Sequence, residues 1–188
     1  YTDSLGEDHI YLVQEPPHSA TTATTPILVY MHGAGGQEEQ GMAPDYAART
    51  FDRLRRLMSE WGWIYVCPRD PEFEGLLTDL AQRYGSRRVI LSGASAGGGY
   101  AFAEARRHPG SYAGLLLISP AISGYPEGGF GTPDFLPVPT WLTVGTEDGF
   151  ITDVSQSLAR DLKRHALRHE FRVIEGGDHG TPLQTIAW

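Results

Sequence analysis

The chain of 188 residues has a single cysteine, Cys67, which excludes an internal disulfide and a cysteine-based metal cluster. It is poor in positive charge. Fifteen Lys and Arg stand against 23 Asp and Glu, giving a formal net charge of −8. That balance offers no cationic face to a phosphate backbone and speaks against a nucleic-acid partner. No apolar run approaches the ~18 residues of a membrane span. The amino terminus lacks a basic segment followed by an apolar one, so no signal peptide is expected in this sequence. The chain starts at Tyr1 rather than Met, which reads as removal of something before it. The compartment stays open between cytoplasmic and secreted with the signal peptide removed. Internal repeats, low-complexity linkers, the H-E-x-x-H zinc pattern, the phosphate-loop lysine motif and the dinucleotide glycine pattern are all missing.

What is present suits one domain over residues 1–188. The chain is 40% hydrophobic and 11% aromatic, and at this size it can bury roughly 70% of its unfolded surface. Seven apolar or β-branched runs read as strands: His9–Val13, Ile27–Met31, Ile64–Cys67, Val89–Ser92, Leu115–Ser119, Trp141–Val144 and Phe171–Ile174. Several are continuous rather than alternating, as in parallel strands covered on both faces. Helical periodicity lies between them, over Tyr46–Glu60, Glu72–Tyr84, Gly97–His108 and Asp153–His169. Strands alternating with helices predict a three-layer α/β domain with a mostly parallel sheet. Thr21–Thr25 reads as a polar turn. Ser119–Pro139 reads as a long Gly- and Pro-rich loop, of a length that usually serves function or moves.

The strongest local feature is Gly93-Ala94-Ser95-Ala96-Gly97, a G-x-S-x-G string. In a chain with 23 glycines the string alone is weak evidence, and its context gives it weight. A strand precedes it and a helix follows. The turn between them would hold Ser95 in a strained backbone conformation at the carboxyl edge of the sheet, where open α/β sheets bind ligands. The helix amino terminus beneath favours developing negative charge.

A serine nucleophile needs a base and a group to orient that base. His179, in Gly176-Gly177-Asp178-His179-Gly180 after the final strand, is the candidate base. His32 also follows a strand, but its glycine-rich neighbours suggest another role. His165 and His169, four apart on an expected helix, read as a solvated face. His108 reads as a helix carboxyl-terminal cap. His9 and His18 offer no reason for selection. The orienting carboxylate is expected after Trp141–Val144, at Asp148, with Glu147 as the neighbouring alternative. Asp153 reads as the cap of the next helix, with Thr152 as rival. An oxyanion hole is expected from Ala96 N–H and from the loop after Ile27–Met31, at Ala34 N–H, with Gly33 or Gly35 able to replace it.

With His32-Gly33-Ala34-Gly35-Gly36, Gly93-Ala94-Ser95-Ala96-Gly97, Gly145-Thr146-Glu147-Asp148-Gly149 and Gly176-Gly177-Asp178-His179 in that order, the sequence resembles the α/β-hydrolase superfamily from about His9 to Gly180. Within it, the chain is similar to the small carboxylesterase, feruloyl-esterase and polyhydroxybutyrate-depolymerase-like group. The resemblance implies an α/β-hydrolase fold and a serine esterase that cleaves carboxylic esters with Ser95, Asp148 and His179. It implies no cofactor and no metal. Its partner would be a small-molecule or polymeric ester. Gly35, Gln37 and Phe150 are expected at the substrate rim, with Tyr100, Tyr125, Phe130 and Phe135 nearby. The same machinery would also serve a thioesterase, peptidase or acyltransferase, and a non-catalytic binding module with this fold is the remaining alternative. The chain is shorter than most relatives. Almost no room is expected for a helix directly after Cys67-Pro68-Arg69, and only a loop is expected where relatives insert a cap. The expectation is therefore a reduced core with an open, lidless site.

Overall fold

The structure is a computed structural model that describes residues 1–16, 22–42, 52–126, 129 and 138–186. Seven strands form one sheet: β1 (Tyr11–Gln14), β2 (Ile27–Met31), β3 (Ile64–Pro68), β4 (Val89–Ala94), β5 (Gly114–Ile118), β6 (Thr140–Gly145) and β7 (His169–Ile174). Their spatial order is β1-β3-β2-β4-β5-β6-β7. Only β1 runs antiparallel, against β3, and the other pairings are parallel.

Parallel neighbours need crossovers, and the first four helices supply those other than the β5–β6 connection, where no helix stands among the described residues. The helices are α1 (Asp52–Trp61), α2 (Phe73–Tyr84), α3 (Ala96–Arg107), α4 (Phe150–Arg164) and α5 (Thr181–Thr185). The alternation along each strand divides the core in two. Ile27, Val29 and Met31 of β2 pack with Leu76 of α2, Ala101 and Phe102 of α3 and Leu158 of α4. Leu28 and Tyr30 of the same strand face the other way, toward Leu54 and Met58 of α1 and Leu183 of α5. Both faces are covered, so the strand is apolar at every position and all five of its residues are buried.

All seven expected strands form, with shifted ends. β1 begins at Tyr11 rather than His9, and β7 begins at His169 rather than Phe171. The helix expected over Glu72–Tyr84 forms as α2, with Glu72 accepting the Gly75 N–H as its cap, and no helix lies between Arg69 and Phe73, as expected. Two local expectations are corrected. The helix after β6 starts at Phe150, with Gly149 at φ 54 as its cap. Neither Asp153 nor Thr152 is that cap, because Thr152 Oγ1 turns back to donate to Gly145 O at 2.7 Å. His165 and His169 do not share a helix, since His165 closes α4 and His169 opens β7. His108 does cap α3, with its N–H on Glu104 O. Tyr46, Phe51, His18, Phe130 and Phe135 lie outside the described residues, as do residues 127–128 and 130–137 of the segment where a cap would stand. No helix among the described residues is long and apolar enough to cross a membrane.

Because β2, β4, β5, β6 and β7 are parallel, their following loops gather at one edge of the sheet. Every expected site residue lies there.

Candidate active site

Ser95 occupies the turn between β4 and α3 with φ 54 and ψ −123. A non-glycine residue takes this conformation at a cost of order 1–3 kcal/mol and only where the surroundings enforce it. The surroundings here are backbone. Ser95 N–H donates to Ile118 O at 3.0 Å, and Ser95 O accepts from Ala121 N–H at 2.8 Å. A Cβ on Gly97 would stand 2.1 Å from Met31 O, and one on Gly93 would stand 2.3 Å from Gly97 C and O. Glycine at both positions lets α3 start hard against the ends of β2 and β4, which tightens the turn.

The loop after β2 presses on the same serine. A Cβ built on Gly33 would lie 3.3 Å from Ser95 Cβ. Residues 33–36 make a turn closed by Gly36 N–H to Gly33 O at 3.0 Å, with Gly35 at φ +75. That positive φ at the third residue marks a type II turn and favours glycine there. The turn bond uses Gly36 N–H. Among the described residues, no hydrogen bond engages Ala34 N–H. Ala96 N–H belongs to the first turn of α3 and has no intrahelical acceptor. Ala96 directly follows Ser95, and Ala34 directly follows Gly33, the residue that approaches Ser95.

Asp148 and His179 meet across the ends of β6 and β7. His179 Nδ1 lies 2.8 Å from Asp148 Oδ1 and 3.0 Å from Oδ2. The aspartate side chain is 6% exposed and the imidazole 47%. A carboxylate only accepts, so Nδ1 carries the proton and Nε2 is left as the basic nitrogen. Ser95 Oγ and His179 are not joined by a hydrogen bond. Glu147 is exposed and contributes its backbone instead, donating N–H to Gly177 O at 2.8 Å. Gly145 makes the approach possible, since a Cβ there would fall 2.1 Å from Gly177 O.

Two features escaped the sequence reading. Asp178 Oδ1 accepts from Thr181 Oγ1 at 2.7 Å, Thr181 N–H at 3.0 Å and Gly180 N–H at 3.1 Å. The Thr181 hydroxyl first, then these backbone N–H groups, hold its carboxyl below the ordinary aspartate range. The bracket pins the backbone on both sides of His179, and an aspartate that bonds the backbone two and three residues on is a readable turn signal. The second feature is an ion pair between the buried Glu38 and the exposed Arg69, whose partners stand 31 residues apart in sequence. No local pattern announces it.

The rim candidates Gly35 and Gln37 are exposed, and Phe150 is 68% exposed one residue beyond Gly149. A cavity of about 300 Å³ opens at the start of α3, lined by Ala96, Gly99, Tyr100, Ala121, Ile122 and Tyr125 among others. Another, of about 410 Å³, lies at the opposite edge, at the starts of the strands, among Trp61, Trp63 and Trp141. None of the candidate residues reaches it. Among the described residues, no group of three or more His, Cys, Asp or Glu is arranged to hold a metal ion.

No protein-family model matches the sequence, and no curated protein matches it. Solved structures do match. A ferulic acid esterase from Anaeromyces mucronatus, in complex with ferulic acid, superposes with a TM-score of 0.72 at 17% identity, over 97% of this chain and 84% of that one. An S-formylglutathione hydrolase from Agrobacterium tumefaciens gives 0.73 at 15%, over 98% and 88%. A thermostable esterase gives 0.74 at 16%, over 98% and 58%. The strand order, the parallel crossovers and these similarities together show that the chain has the α/β-hydrolase fold, as the sequence resemblance implied.

Proposed function

We propose that this protein is a serine hydrolase that cleaves carboxylic esters through an acyl-enzyme. The observation that carries the reading is Ser95 itself, held in a strained turn at the edge of the sheet where the Asp148–His179 pair also stands. Its support from similarity is that the neighbours sharing the fold are esterases. Ser95 Oγ attacks the ester carbonyl and His179 Nε2 takes its proton. Asp148 fixes the ring and stabilises the imidazolium. Ala34 and Ala96 N–H groups receive the oxyanion that develops on the carbonyl oxygen. The tetrahedral intermediate then expels the alcohol, protonated by His179. A water deprotonated by the same imidazole attacks the acyl-enzyme and releases the acid.

The cavity along α3 beside Ala96 would take one side of the ester, and the exposed rim residues would border the other. A small-molecule or polymeric ester suits this reading equally. Thioester cleavage is a second reading, favoured by the S-formylglutathione hydrolase neighbour. Turnover of matched aryl ester and thioester substrates by wild type and Ser95→Ala tests both. Loss of all turnover with Ser95→Ala supports the mechanism, and the ratio of the two wild-type rates assigns the bond. Turnover that survives Ser95→Ala removes the mechanism.

A further inference from the structure

The loop that carries Ala34 is fixed from outside by one residue. Arg69 follows β3, and its backbone is anchored by its N–H to Ile10 O at 2.9 Å. Its carbonyl accepts from His32 Nε2 at 2.8 Å, at the start of the loop. The other ring nitrogen, Nδ1, lies 2.8 Å from Gly33 O, at the first peptide of the turn. At the far end of the loop, Arg69 Nε donates to Glu38 Oε2 at 2.8 Å and its Nη2 donates to Glu38 Oε1. Glu38 opens a short 3-10 turn, Glu38–Gly41, and is 3% exposed.

A buried carboxylate is a costly way to fill space. An apolar side chain of similar volume commonly serves stability as well or better. What the ion pair adds is direction: two parallel N–H···O bonds set orientation as well as distance. Oxyanion donors need such control, because a site held loosely by about an ångström loses its advantage.

We infer that Arg69 and Glu38 are positioning residues, with Arg69 clamping the 32–38 loop at both ends so that Ala34 N–H stays aimed at the oxyanion. The inference rests on the ester-hydrolase reading for its effect on rate, while the clamp itself is testable without turnover.

The test measures kcat and KM for a 4-nitrophenyl ester, and backbone amide hydrogen exchange, on the full chain. Wild type is compared with Glu38→Gln, Arg69→Met and Arg69→Lys. Glu38→Gln and Arg69→Met should each lower kcat about 10–100-fold, below the full loss of an oxyanion donor, with KM within about threefold. Amides of residues 33–37 should exchange at least about tenfold faster, with β4 and α3 unchanged. Arg69→Lys, which keeps the charge without the fork, should fall between. Should a single variant fail to fold, Glu38→Leu with Arg69→Met removes the buried charge and carries the same comparison. Wild-type kcat and loop exchange in a folded variant would overturn the clamp. So would faster exchange spread through β4 and α3, which marks a merely structural role. If wild type shows no Ser95-dependent turnover, the hydrolase reading fails instead, and loop exchange alone decides the clamp: unchanged exchange overturns it and faster exchange upholds it.

Discussion

Asp148, not Glu147, is the carboxylate that holds His179, with Oδ1 2.8 Å from Nδ1. The two acids are adjacent, but the turn after β6 sends the Asp148 side chain inward and leaves Glu147 exposed. Asp148→Asn would present an amide that no longer enforces the correct tautomer. A fall in kcat of about 10⁴ is expected. Glu147→Gln should stay within about threefold, since its part is a backbone bond. Steady-state rates on one aryl ester decide, and the opposite ranking would move the role to Glu147.

The turn around Ser95 depends on backbone proximity rather than on side-chain chemistry. Gly97→Ala places a methyl 2.1 Å from Met31 O, where only backbone can yield. Destabilisation of at least ~1–3 kcal/mol is expected, as for overpacking, with activity lost beyond what stability explains. Urea unfolding of the variant beside wild type measures the first, and wild-type stability would show that α3 starts less tightly than the contacts require.

These close contacts also mark what the sequence made legible. Ser95, Asp148 and His179 each stand within a short glycine-bearing string after an apolar strand, so type and position agreed locally. The inner strands β2 and β3 were legible because both faces of the sheet are covered there and every position is buried. The start of α4 was not, because Gly149 caps it through a positive φ while Thr152 and Asp153 carry the side chains normally associated with caps. Nothing local marks Glu38, whose partner is the guanidinium of Arg69 just after β3, outside any window of neighbouring residues.

Cys67 gives a negative control for the nucleophile. It is buried in β3, and burial pushes its thiol up to about 12. A thiol that stays protonated is a poor nucleophile and a poor target. A disulfide reagent should leave the native protein unlabelled and its turnover unchanged, and label one thiol per chain only after denaturation. Rapid labelling of the folded protein would contradict the burial.

The amino-terminal segment should respond to pH. His9 sits between Asp3 and Asp70, with Nε2 and Nδ1 each 3.2 Å from a carboxylate oxygen, and stacks on Tyr1. Hydrogen bonds to Asp3 and then Asp70 raise its pKa above the ordinary 6.5. Its contribution is therefore fully present below 6.5 and is lost as pH rises through the raised value. Asp3 is lowered below 3.8, chiefly by the Glu7 N–H. Its contribution is present above 3.8 and is lost as pH falls through the lowered value. Residues 1–9 should be held most firmly between pH 3.8 and 6.5. Amide exchange of this segment across pH, corrected for intrinsic rates, should show the upper transition in wild type and not in His9→Gln. An identical profile in both would remove the clip.

The account stands or falls on Ser95 as nucleophile, and a fluorophosphonate probe tests that most directly. Incubation with wild type, followed by proteolysis and mass spectrometry, should place one adduct on the Ser95 peptide in step with loss of ester turnover. Ser95→Ala, with the same circular dichroism, should take up no probe and turn over no ester. An adduct elsewhere with turnover retained, or hydrolysis by a folded Ser95→Ala, would contradict it.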